Sequence, residues 1–230
     1  AYLCRVFHDD PDFQDEAVAW AAEEVQHGVA LGRWAELADP GFDFRTAFAR
    51  FKEGFKIDTD AETSIRGSRT GELVARCIVE TGTSSYYTAL MEAVDEPVLK
   101  EICRRIAADE LRHYRLFLCN MRRYLDREKV SRLRRAMVAL SRAGETEDDE
   151  LAYAYYAANE DDAPYDRRRY TRGYARRAYG VYRPRHVERG IAMFLKAAGF
   201  KPNGRLNRLA TSVAWHLLRS RQQLLARSNA

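Results

Sequence analysis

Two stretches of this chain set a glutamate three residues ahead of a histidine, each inside a long run with helical apolar spacing: Trp20-Ala-Ala-Glu-Glu-Val-Gln-His27 and Ile106-Ala-Ala-Asp-Glu-Leu-Arg-His113. On an α-helix that spacing sends both side chains out of one face, so Glu24 with His27 and Glu110 with His113 can each address a common ion. A third acid, Glu80, sits in another helical run. Carboxylates gathered in one interior repel each other and lose solvation unless cations neutralise them, so the pattern demands either a solvent-facing arrangement or bound metal. A single Glu-x-x-His is ordinarily a surface ion pair. Two of them among five histidines, both on long amphipathic helices, point to metal instead. His8, His186 and His216 lack the pattern and read as ordinary turn or helix residues.

The helices follow from breakers and apolar periodicity. Ala1 to Phe7 has the spacing of a last helical turn or two, and His8-Asp-Asp-Pro11 turns the chain into a helix from about Asp12 to Leu37. A weaker stretch follows, with a short helix over roughly Phe44 to Phe55 and a polar segment to Ser68. A long helix from about Thr70 to Val94 is broken at Asp95-Glu-Pro97, which opens another to about Asp126. The long connection between the first two long helices suits a crossover along the bundle, which makes those two helices parallel. Glu80 lies about fifteen residues before the Pro97 break and Glu110 about fifteen after it, so an antiparallel pair sets them level. The same rule applied to the turn near Asp9 and Asp10 puts the level partner of Glu24 roughly five residues ahead of Ala1, where a further glutamate would complete the set.

With 230 residues, 46% of them hydrophobic, the chain can bury a large core. No apolar run approaches a membrane span and no cleavable apolar signal opens the sequence. Cys4, Cys77, Cys103 and Cys119 fall at scattered spacings without a C-x-x-C pair, as suits a reducing cytoplasm. The expected class is therefore an all-α, ferritin-like four-helix bundle over 1–143 with one long crossover, followed by a helical C-terminal extension over 144–230. Glutamates and Glu-x-x-His pairs on such a bundle form the ligand set for two iron ions, with manganese as the alternative.

At three places the residues resemble a known family. Trp20 to His27 is similar to the W-x-A-E-E-x-x-H of soluble acyl-carrier-protein desaturases, Ile106 to His113 to their I-A-A-D-E-x-R-H, and Glu80-Thr-Gly-Thr83 to their E-x-x-T. The resemblance covers roughly Phe13 to Tyr124 and implies that Glu24, His27, Glu80, Glu110 and His113 are iron ligands. It further implies that Thr83 lies beside the oxygen-binding side and that Asp109 supports a ligand histidine. An external electron donor is implied, and a homodimer is compatible with it. The first-helix ligand and a familiar C-terminal third are missing, which leaves the substrate open. The same ligand set occurs in ferritin-like proteins that oxidise or store iron or scavenge peroxide, and in a tRNA-modifying hydroxylase.

Three further features await the fold. Thr81-Gly-Thr-Ser-Ser85 is small where a core helix is ordinarily bulky, which leaves either room beside the metals or a close helix crossing. Tyr86, Tyr87 and Tyr114 flank the motifs, as core aromatics or as neighbours of the metals. Beyond the bundle come a basic amphipathic helix from Glu128 to Ala143, an acidic link over 144–150, a helical piece from Leu151 to Ala158, and Asn159-Glu-Asp-Asp162. In Arg167 to Arg185 arginine and tyrosine then interleave without one acid. That run, through Arg167, Arg168, Arg169, Arg176 and Arg177, suits an acidic acyl-carrier protein, suits RNA, and equally suits arginines covering the bundle and pairing with nearby acids. Two helices close the chain, Pro184 to Ala198 and Gly204 to Arg227, the last with Leu206, Leu209, Val213, Leu217 and Leu224 on one stripe.

Overall fold

A computed structural model describes residues 1–56, 60–145, 149–159 and 163–227, and among them every regular element is a helix. The ten helices are α1 (Tyr2–Val6), α2 (Pro11–Ala38), α3 (Phe44–Gly54), α4 (Arg69–Ala93), α5 (Pro97–Glu128), α6 (Arg132–Gly144), α7 (Asp149–Asn159), α8 (Arg167–Gly180), α9 (Pro184–Ala198) and α10 (Arg205–Arg227). The all-α bundle expected from periodicity is what forms. The centre of the acidic link and the acids Glu160 to Asp162 lie outside the described residues.

Local chemistry sets the ends of the long helices. Asp10 accepts from the Phe13 amide ahead of Pro11, and Ser68 accepts from the Gly71 amide. Glu96 takes the amides of Val98 and Leu99 with Pro97 at the first helical position. Each satisfies amides that the first turn leaves unpaired. Glu128 departs from expectation: it closes α5 instead of opening α6, because Lys129 turns left-handed at φ 51. Its carboxylate caps the neighbouring helix, accepting from the amides of Arg69 (3.1 Å) and Thr70 (2.8 Å), and so ties the start of α4 to the end of α5.

Contacts along α5 reveal the topology. Thr70 faces Glu128, Thr83 faces Glu110 and Ser84 faces Ala107, so α4 runs antiparallel to α5. Asp10 meets Tyr124, Glu16 meets Asn120, His27 meets Asp109 and Trp34 meets Glu96, so α2 is antiparallel to α5 as well. Consequently α2 and α4 are parallel, and the chain between them, with α3 in it, is the crossover.

One apolar core runs through this array. Phe7, Phe13 and Tyr124 stack at one end, with ring centroids 4.4 Å and 5.1 Å from Phe7. Leu73, Val74, Cys77, Phe117 and Met121 fill its middle. Met193, Ala197 and Ala198 of α9 belong to the same core, so this helix of the C-terminal third packs into the bundle against α4. Gly190 permits the close crossing: a Cβ there would lie 3.1 Å from Ser85 Oγ and 3.8 Å from Thr81 Cγ2. Two of the small residues in the Thr81 to Ser85 run therefore serve helix packing.

In α8 helical geometry sorts the interleaved run. Tyr170, Ala175 and Ala178 are buried, whereas Arg167, Arg168, Arg169, Arg172, Arg176 and Arg177 are exposed. Tyr170 joins Tyr153, Tyr156 and Tyr165 in an aromatic cluster that fastens α8 to α7, with centroids 4.9 to 5.9 Å apart. The leucine stripe on α10 faces outward, with Leu206, Leu209, Val213, Leu217 and Leu224 between 48% and 66% exposed. Among the described residues no helix is long and apolar enough to cross a membrane.

Candidate metal centre

Three helices deliver the five residues singled out by spacing to one interior point. From α2, α4 and α5, donor atoms of Glu24, Glu80, Glu110 and His113 all lie within 4.8 Å of one another. His27 adjoins them, its Nδ1 3.4 Å from Glu110 Oε1 and 3.6 Å from Glu24 Oε2. His113 Nδ1 stands 3.2 Å from Glu24, 3.6 Å from Glu80 and 3.8 Å from Glu110. The two imidazoles face each other across the cluster, with ring centroids 5.8 Å apart. Glu80, Glu110 and His113 are 3% exposed or less and His27 is 8% exposed, so the group sits where charge is costly.

The outer nitrogen of each imidazole is held by an acid from the other helix. His27 Nε2 lies 3.1 Å from Asp109 Oδ2, and His113 Nε2 lies 2.7 Å from Glu23 Oε2. Arg112 spans both acids, donating to Glu23 at 3.0 Å and to Asp109. With Nε2–H committed outward, each Nδ1 is aimed at the carboxylates, the orientation in which a histidine offers a lone pair to a metal. Both Nδ1 atoms, and both oxygens of Glu80, are buried without a hydrogen-bond partner. Buried polar atoms are almost always satisfied, so four orphans converging among carboxylates fit a site built to hold a cation. The donor set, oxygen with imidazole nitrogen, suits iron or manganese.

Electrostatics among these side chains carry the same message. Burial opposes charge on His113, yet the carboxylates of Glu110, Glu24, Glu80 and Glu23 outweigh it and push its pKa up to about 12. Burial likewise opposes charge on His27, and Glu110, Glu24 and Asp109 raise it to about 10. Glu80 moves well above the ordinary carboxylate range, through burial first and the nearby Glu110 and Glu24 charges next. Glu110 is buried too, but His113, His27, Glu80 and Thr83 hold it far below that range.

Around this core the remaining expected residues take definite places. Thr83 Oγ1 donates to Glu110 Oε2 at 2.7 Å, so the hydroxyl is fixed against the cluster. Gly82, beside it, has open space where a Cβ would stand. The Tyr87 hydroxyl is raised by burial and then by the charges of Glu110 and Glu24. Tyr114 turns away, donating to the Met193 carbonyl of α9 at 2.7 Å. Glu23 was missed in the sequence, although a signal existed: an acid immediately precedes the glutamate in both motifs, Glu23-Glu24 and Asp109-Glu110. Trp20, which meets the His113 ring edge-on at 6.5 Å, was seen only as part of a motif.

No curated protein and no solved structure matches this chain. The sequence profile of the family described as Fatty acid desaturase matches residues 10–142, from the cap of α2 almost to the end of α6 and across all three helices of the centre. The chain belongs to the fatty acid desaturase family, whose members are oxidoreductases.

Proposed function

We propose that this protein is a dinuclear-iron, oxygen-dependent desaturase that removes two hydrogens from an acyl chain. The observation that carries the reading is the pair of orphaned Nδ1 atoms, on His27 and His113, facing Glu24, Glu80 and Glu110. Bound there, iron would supply reductive activation of oxygen and the oxidising power to break unactivated C–H bonds.

The chain's own residues prepare the site in three ways. Asp109 and Glu23 fix the tautomer and pitch of the two imidazoles, and Arg112 holds both acids in place. The Thr83 hydroxyl donates a hydrogen bond to Glu110, which fixes one carboxylate oxygen beside the cluster. Trp20 meets the edge of the His113 ring at 6.5 Å and is itself packed on Phe117 at 5.3 Å, which fixes an aromatic side wall beside the imidazole. Family membership favours this reading over iron storage, peroxide scavenging or tRNA hydroxylation, because the match covers the centre and its flanking helices together.

The acyl group would arrive on an acidic carrier protein docked at the outward arginines of α8, an arrangement supported by their exposure beside an inward tyrosine face. The test is turnover. Iron-loaded protein given an acyl-carrier thioester, oxygen and a reducing system should yield a product lighter by two hydrogens in the mass spectrum. A product heavier by one oxygen would replace desaturase with hydroxylase, and an unchanged acyl chain would refute both.

A further inference from the structure

Away from the metal centre, the ends of α5, α6 and α9 border a solvent-open pocket of about 640 Å³. Five cationic side chains line it, Arg122 from α5, Arg132 and Arg135 from α6, Lys196 from α9 and Lys201 just beyond, and no carboxylate does. Four of them are exposed, as solvated charges are. Arg135 is different: it is only 7% exposed and its Nε is buried without a partner.

A buried guanidinium is normally paired, because an uncompensated charge in the interior is strongly unfavourable. Here burial, and next the charge of Arg132, pull the Arg135 pKa down, although a guanidinium remains protonated throughout the physiological range. The backbone is shaped to admit it. Gly199 ends α9 in the left-handed region at φ 89, and a Cβ there would collide with the Arg135 guanidinium, which lies directly on that turn.

We propose that this pocket binds the phosphate end of a small organic phosphate ester, with Arg135 as the buried anchor. Phosphate matches the planar donor fork of arginine bidentately and carries enough charge to answer several cations. The pocket is far larger than an inorganic anion requires, and Met121, Leu125 and Phe200 give it apolar wall for an organic remainder.

The experiment follows thermal unfolding of the full-length, metal-loaded protein with pyrophosphate as probe, against sodium chloride at equal ionic strength. At about a hundred times its Kd, pyrophosphate should raise Tm by roughly 5–10 °C. Arg135→Met should abolish that shift while melting no lower than the parent without ligand, since it removes an unpaired buried charge. Lys201→Gln, at an exposed position, should weaken binding several-fold without touching the fold. No shift beyond chloride, or an equal shift in Arg135→Met, overturns the proposal. A phospholipid headgroup offers the same chemistry, so vesicles carrying phosphatidic acid form the second arm. Vesicle binding that requires Arg135, with no response to pyrophosphate, would assign the pocket to a lipid and overturn the soluble ligand.

Discussion

Replacing Glu80 by methionine separates a metal centre from a structural ion cluster by the sign of its effect on the metal-free protein. Both Glu80 oxygens are buried without a hydrogen bond, and the closest ion-pair contact, His113 Nδ1, is 3.6 Å away. An unsatisfied buried polar group costs ~1–3 kcal/mol, and methionine of similar length removes that cost while filling the same space. His113 keeps Glu24, Glu110 and Glu23 around it, so little pairing is lost. Metal-free Glu80→Met should therefore be more stable by about 1–3 kcal/mol, which at ~2–4 °C per kcal/mol raises Tm by roughly 2–12 °C. The same variant should bind iron far more weakly and gain little from it. Chemical and thermal unfolding of chelator-treated protein, followed by circular dichroism, reads both effects. A metal-free loss of ~3–5 kcal/mol, the penalty for removing one member of a buried ion network, would refute the reasoning.

Asp109→Asn and Glu23→Gln should each lower iron affinity ~10–100-fold at unchanged helix content, and by similar amounts because their places are equivalent; chelator competition measures it. Iron uptake near pH 7 should release about two protons, from His27 and His113, and affinity should climb with pH; calorimetry in buffers of different ionisation enthalpy would contradict this by showing no proton exchange. Because the folded His27 pKa is raised, its contribution to metal-free stability is complete below pH ~6.5 and fades as pH rises toward about 10, with His113 following near 12, so the metal-free protein should melt lower at pH 10 than at pH 6.5. Changing Arg167, Arg168, Arg169, Arg176 and Arg177 together to glutamine should weaken salt-sensitive binding of an acidic carrier and leave iron content unaltered; unfolding of that variant would mean these arginines hold the helices together.

Much of the fold was legible because periodicity and breakers are local signals. Pro97 and the helical rise suffice to set Glu80 level with Glu110, and the observed facing pairs Thr83 with Glu110 and Ser84 with Ala107 agree with that level. That Glu24 and His27 join Glu80, Glu110 and His113 is signalled only by the repeated Glu-x-x-His spacing, which marks the residues without placing α2 beside the other two helices. What escaped was non-local. Glu23 acts across two helices, and its one sign in the sequence is its match to Asp109, the acid directly ahead of the glutamate in the other motif. The place of α9 in the core depends on Gly190 meeting Ser85, a contact about a hundred residues apart in sequence for which helix periodicity offers no sign. Arg135 looked like one more charge on a basic helix. Its burial is set by the Gly199 turn, which only the folded chain brings to it.

The most direct test of the central claim is diffraction from iron-loaded crystals on either side of the iron absorption edge. Anomalous peaks should appear within the cluster, one beside His27 Nδ1 and one beside His113 Nδ1, among the carboxylates of Glu24, Glu80 and Glu110, with both Nε2 atoms still held by Asp109 and Glu23. Peaks elsewhere in the chain, or imidazoles still paired to the carboxylates with no metal between them, would contradict it.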